Sequence, residues 1–241
     1  MLTKSQAKYI QSLSQKKFRD EEHAFVAEGP KIINELLAAR NVELMQLFAL
    51  ENWDNENSSE KKIIVTEREL ERLSFLQTPN QVLAVFKKPF FGKPSFENKI
   101  TLLLDGIQDP GNMGTIIRTA DWFCVENIIC SPESADVFNP KTVQSTMGSI
   151  SRVQVVQEDL KLFVNNHSNI PLYATALNGR NLFDIKSIKE GFILIGNESK
   201  GIHEDLFLLS KEKITIPKSG EAESLNAAVA AGIMLAWANK Q

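Results

Sequence analysis

Apolar positions in the first third of the chain recur at the helical and strand periods in turn. Residues 3–14 read as a short helix, 24–27 as a strand, and 31–39 as a helix with Ile32, Leu36 and Ala39 on one stripe. Residues 44–50 and 63–65 read as strands, 67–73 as a helix and 82–86 as another strand. The stretch Lys87-Lys88-Pro89-Phe90-Phe91-Gly92-Lys93-Pro94 interrupts this pattern, because two prolines and a glycine suit a linker better than a regular element. The expected organisation is a first domain over residues 1–88, a linker over 89–98 and a second domain over 99–241.

In the second domain strands are expected at 101–104, 125–129, 153–156, 172–175, 192–195 and 213–216. Helices are expected to start at Gly114, at Asn139-Pro140 and at Ser224. Strands alternating with helices imply an α/β domain built on a mostly parallel sheet with helices on both faces. Ligands of such sheets bind beyond the carboxyl ends of the strands. Chemistry is therefore sought in three loops, 105–114, 196–201 and 217–226.

With 241 residues, 43% apolar and 24% charged, the chain can build one large or two small cores. Its first residues lack the apolar run of a secretory signal, and the near-apolar stretch 227–238 is too short to span a bilayer, so a cytoplasmic protein without a membrane partner is expected. Cys124 and Cys130 lie in apolar segments without CxxC spacing and are expected to be reduced core residues. His23, His167 and His203 form no ligand array, and no metal is expected. The net charge of −3 argues against indiscriminate coating of nucleic acid but leaves room for local patches. Two stand out: Lys4, Lys8, Lys16, Lys17 and Arg19 against the single acid Asp20, and Lys87, Lys88 and Lys93 around Phe90 and Phe91. Each also reads as an ordinary solvated face.

The first loop, Asp105-Gly106-Ile107-Gln108-Asp109-Pro110-Gly111-Asn112-Met113-Gly114, runs into a helix carrying Arg118 about one turn in. Free N–H groups at such a helix start suit an anionic group; the plainer reading is a turn followed by a surface arginine. The loop holds no GxGxxG, and the next strand ends in Cys130-Ser131-Pro132 where a ribose-binding acid is needed, so a dinucleotide site is excluded. No GxxxxGK[ST] is present either. The second loop, Gly196-Asn197-Glu198-Ser199-Lys200-Gly201, follows an apolar strand. The third runs from Ile216-Pro217 to Ser224-Leu225-Asn226, where Ser224 also reads as a helix N-cap.

Taken in order, Asn112-x-Gly114-x3-Arg118-Thr119-Ala120, Gly196-Asn197-Glu198-x2-Gly201 and Ile216-Pro217-x6-Ser224-Leu225-Asn226 resemble the three motifs of the SpoU-type branch of the SPOUT RNA methyltransferases. The first domain, with Phe25-Val26-Ala27-Glu28-Gly29-Pro30-Lys31, is similar to the small ribosomal-protein-like substrate-binding domain common there. The resemblance implies a sheet whose C-terminal segment is threaded as a deep trefoil knot. It implies S-adenosylmethionine as cofactor, held by Thr175, Ala176, Leu177, Ile195, Gly196, Asn197, Gly201, Ile216 and Leu225. It implies methyl transfer to a ribose 2′-hydroxyl of RNA, ribosomal RNA being favoured over transfer RNA, with Arg118, Asn112, Glu198, Ser224 and Asn226 as catalytic positions. A homodimer packed through 114–123 and the C-terminal helix, with Gly232, Ile233, Leu235, Ala236 and Trp237 on its apolar surface, is implied too; periodicity alone allows that helix simply to close its own core. A non-catalytic RNA-binding assembly factor of the same fold is the alternative. Two residues depart from the pattern: Ser199 stands where a glycine is usual, and Gln144 where an arginine is usual, with Lys141 nearby as a partial substitute.

Overall fold

A computed structural model describes residues 2–55, 61–186, 188–197 and 199–239. Two compact units emerge. One comprises Met1–Gly92 with Asp136–Ser151, the other Lys93–Ala135 with Arg152–Gln241.

The first unit opens with α1 (Lys4–Ser12) and α2 (Lys16–Glu21), followed by β1 (Ala24–Glu28), α3 (Pro30–Ala38), β2 (Leu44–Ala49), β3 (Lys62–Ile64), α4 (Glu67–Leu73) and β4 (Val82–Lys87). Its sheet has the order β1-β4-β2-β3, antiparallel except for the parallel β2–β3 pair. Capping boxes start α1 at Thr3 with Gln6 and α4 at Thr66 with Glu69, satisfying amides that have no partner inside the helix. The helix α2 was not expected: Lys-Lys-Phe-Arg-Asp-Glu has no apolar stripe, and its regularity comes from i,i+4 pairs, Lys16–Asp20 at 2.7 Å and Lys17–Glu21 at 3.8 Å. Arg19 corrects the reading of its cluster as a solvated face. It is buried, donating to the Leu13 carbonyl at 2.6 Å and to Asp136 Oδ2 at 2.5 Å.

The later segment contributes α6 (Pro140–Thr146), capped by Asn139 as expected. Val143 and Ile150 are buried in the same cluster as Phe25, Ile33, Leu47 and Phe86. Phe138 lies 5.3 Å from Phe25, and Lys88 sits 4.9 Å above the Phe138 ring.

The second unit holds β5 (Ile100–Asp105), α5 (Pro110–Trp122), β6 (Asn127–Cys130), β7 (Gln154–Gln157), α7 (Leu160–Asn166), β8 (Leu172–Asn181), β9 (Gly191–Gly196), α8 (Glu204–Leu209), β10 (Glu212–Thr215) and α9 (Ala227–Ala238). Its six strands are all parallel, in the order β10-β8-β9-β5-β6-β7. The central strands β5 and β9 are near-continuous apolar runs, as strands covered on both faces must be.

Three expectations need correction. The helix α5 starts at Pro110, not Gly114: Asp109 caps it through the Asn112 amide, and proline suits the first helical position. Arg118 therefore lies two turns inside the helix. The last helix starts at Ala227, because Asn226 and not Ser224 caps it, accepting from the amides of Ala228 at 2.9 Å and Val229 at 3.3 Å. Cys130 is buried, but Cys124 is exposed in a left-handed turn after α5 (φ 56°) and is not a core residue.

Candidate active site

Loops at the carboxyl ends of β5, β8, β9 and β10 are the parts that matter for chemistry. After β9 the chain makes a tight turn in which Asn197 and Gly201 exchange both backbone hydrogen bonds, at 3.0 and 2.9 Å. Gly201 has φ +72°, a conformation that suits a residue without a side chain. At Gly196 a Cβ would lie 2.5 Å from the Gly201 carbonyl carbon, so the turn closes only over a glycine. The Asn197 side chain staples the turn twice, accepting from the amides of Ser199 (2.9 Å) and Lys200 (3.0 Å) and donating to the Gly106 carbonyl at 2.7 Å. The first bond gives Ser199, the departure from the usual glycine, a defined place in the turn.

A second tie joins the same loops. Asp105, 1% exposed at the end of β5, accepts from the His203 amide at 2.8 Å and faces His203 Nδ1 at 2.8 and 2.9 Å. That hydrogen bond and the carboxylate charge raise the histidine pKa above its ordinary value.

In β8 the register against β10 jumps, with Ala174 opposite Lys213 but Arg180 opposite Ile214. Residues 175–179 bulge out between these pairs, and Thr175 is held by donation to the Leu194 carbonyl at 2.9 Å. The strand expected to stop at residue 175 thus continues to Asn181 beyond the bulge.

These turns surround one cleft of about 1040 Å3. Its walls include all nine expected cofactor positions, Thr175, Ala176, Leu177, Ile195, Gly196, Asn197, Gly201, Ile216 and Leu225, together with Ser224. Leu177 and Leu225 expose apolar surface beside the main-chain groups of the three turns, and this lining suits a flat heteroaromatic group with a polar tail. S-adenosylmethionine fits that description, and these nine residues are the positions that would hold it. Lys200, Lys213, Lys218 and Phe207 also line the cleft and were not singled out in the sequence. Their only signal was proximity to the motifs.

Asn226 Nδ2 donates to Asn112 Oδ1 at 2.9 Å, linking the first turn of α5 to the cap of α9 next to the cleft-lining Leu225 and Ala227. Arg118 is not brought into the cleft. It is exposed on α5 and has no hydrogen-bond or ion-pair partner among the described residues. Glu198 lies outside the described residues. Gln144 is half-buried on α6 in the first unit. Among the described residues no cluster of His, Cys, Asp and Glu can hold a metal, and no helix is long and apolar enough to cross a membrane.

Comparison with known proteins gives two family matches. Residues 99–236 match the SpoU rRNA Methylase family, and residues 4–84 match the MRM3-like substrate binding domain. The 23S rRNA (guanosine(2553)-2′-O)-methyltransferase RlmP of Bacillus subtilis (strain 168) is 31% identical over 229 residues, 92% of this chain and 91% of that protein. Among solved structures, a putative RNA methyltransferase of the TrmH family from Porphyromonas gingivalis superposes with a TM-score of 0.84 at 34% identity, covering 99% of this chain and 98% of the other. An AdoMet-bound rRNA methyltransferase from Sinorhizobium meliloti gives 0.84 at 30% identity, covering 99% and 95%.

Proposed function

The chain belongs to the SpoU rRNA methylase family, and from that membership and the cleft we propose that it acts on ribosomal RNA through the residues assembled above. It is an S-adenosylmethionine-dependent RNA 2′-O-methyltransferase with the SPOUT architecture. The observation that carries the site assignment is the convergence of three sequence-distant turns, 175–178, 196–201 and 216–225, on one cleft.

When bound, S-adenosylmethionine supplies an electrophilic methyl group. The protein's part is to bring a ribose hydroxyl into line with it and to lower the cost of the hydroxyl's negative charge. A guanidinium does not give up its proton in a protein, so Arg118 acts as a fixed cation that clamps RNA phosphate and stabilises alkoxide charge. Its exposure and lack of a partner leave it available for that contact. The Asn112–Asn226 pair positions the ribose, and Ser224 offers a hydroxyl at the cleft wall.

The enzyme acts as a homodimer through α5 and α9. Trp122, one turn beyond Arg118, is 83% exposed, and Val229 on α9 is half exposed. Pairing through this face carries Arg118 toward the partner copy. Of the apolar surface expected on α9, Leu235 and Trp237 are buried in the chain's own core, which leaves Gly232, Ile233 and Ala236, joined by the exposed Val229, for the contact.

The test is methyl transfer from labelled S-adenosylmethionine to ribosomal RNA from cells lacking this protein, with wild type beside Arg118→Ala. Label at one position resistant to alkaline cleavage, lost in the variant while cofactor binding persists, is expected. Cofactor binding without transfer to any RNA would point to a non-catalytic RNA-binding factor.

A further inference from the structure

The cleft is at the upper end of the size of sites that enclose one small molecule, leaving space for a second occupant beside the cofactor. Its charge is uneven. Lys200, Lys213 and Lys218 line it together with Glu204 and Glu223, and none of the three lysines has an ion-pair partner among the described residues. Elsewhere lysines pair where a carboxylate is in reach, as Lys87 does with Glu43 at 2.8 Å and Lys161 with Asp205 at 3.1 Å. Lys213 is occupied differently, with its ammonium 4.0 Å above the Phe207 ring. Lys200 and Lys218 remain. Both are exposed, and they come from separate turns of the cleft, Lys200 from the turn held by Asn197 and Lys218 from the loop after β10.

The chemistry of the substrate says what two such charges meet. A ribose 2′-hydroxyl sits on the carbon next to the one bearing the 3′ oxygen, so an RNA that presents this hydroxyl to the cleft brings its 3′-phosphodiester in with it. On a chain of net charge −3 that anion needs a local counter-charge. We propose that Lys200 and Lys218 hold the phosphodiester on the 3′ side of the target nucleotide and so act as positioning residues for the methylated ribose. This assignment rests on the function proposed above. It makes the substrate an internal nucleotide, since a 3′-terminal residue carries no such phosphate.

The experiment compares wild type, Lys200→Gln/Lys218→Gln and Lys200→Arg/Lys218→Arg. Calorimetric titration with S-adenosylmethionine alone is set beside methyl transfer to ribosomal RNA from cells lacking the protein, at several salt concentrations. For the glutamine pair the KM for RNA is expected to rise at least tenfold with kcat nearly unchanged. The slope of log KM against log salt is expected to fall by about one, as for one lost phosphate contact. Cofactor affinity stays within twofold, and the arginine pair restores the KM. Cofactor affinity weakened tenfold with RNA KM unchanged would overturn the proposal and assign the lysines to the carboxylate of S-adenosylmethionine. No change in either constant would overturn it and leave them as solvated surface. Failure of the functional reading looks different, because wild type itself would then transfer no methyl group to the RNA.

Discussion

Asp105 and His203 show how one residue pair can set the geometry of two loops. A carboxylate that is almost wholly buried is costly unless donors satisfy it, and His203 supplies both its backbone amide and its ring. The histidine pKa is raised by that hydrogen bond first and by the Asp105 charge second, with Asp205 and Glu133 adding to the effect. A group whose charged form is favoured by folding contributes its full stability below the free-histidine value of about 6.5, and that contribution disappears as pH climbs through the elevated folded value. Thermal unfolding midpoints measured from pH 5.5 to 9 should therefore decline more for wild type than for His203→Gln; parallel curves would remove the pair from this role. The neighbouring Gly196 gives a second expectation at this scale. Gly196→Ala forces the turn apart, costing about 1–3 kcal/mol in urea unfolding as overpacking does, and weakening cofactor binding in the same protein. All nine expected cofactor positions line the cleft, and the resemblance could name them because motif order survives in sequence. Asp105 and His203 were not, since their partnership spans 98 positions and neither residue type signals it alone.

Element boundaries turn on caps, and here neighbouring candidates compete. Ser224 and Asn226 both suit an N-cap, and the sequence offered no reason to prefer the second. The structure does: Asn226 caps α9 and also reaches Asn112, so one side chain starts the last helix and joins it to the first motif. Asn226→Ala is expected to lower stability by about 1 kcal/mol, whereas Asn226→Asp retains the capping oxygen and keeps the melting temperature near that of wild type. Equal melting temperatures for the two variants would contradict the cap. The early start of α5 follows similar logic, with glycines that suggested a loop lying inside a helix that Asp109 and Pro110 begin. Periodicity found the strands well because buried parallel strands are apolar throughout, as in Ile100–Asp105. It missed α2, whose six residues carry charge pairs instead of a stripe, and it missed α7.

For the whole molecule, association and continuity are the two questions. The exposed Trp122 face gives a dimer expectation: sedimentation should report twice the chain mass for wild type and a single chain for Trp122→Glu, while a wild-type monomer would dismiss the α5 interface. Continuity is harder to read from sequence, because local patterns carry no information about which distant segment completes a core. The first compact unit takes Val143, Ile150 and Phe138 from the segment Asp136–Ser151, along with the Asp136 carboxylate that meets buried Arg19. A fragment ending at residue 92 lacks all of these, and is expected to bind a hydrophobic dye and to unfold without a sharp transition. A sharp two-state melt of that fragment would show the segment to be dispensable. During biosynthesis, then, the first unit cannot finish folding when its own last strand leaves the ribosome. At 5–20 residues per second it waits roughly 3–12 s for the segment to be made, with Arg19 meanwhile lacking its carboxylate, and its completion falls after synthesis of the second unit has already begun.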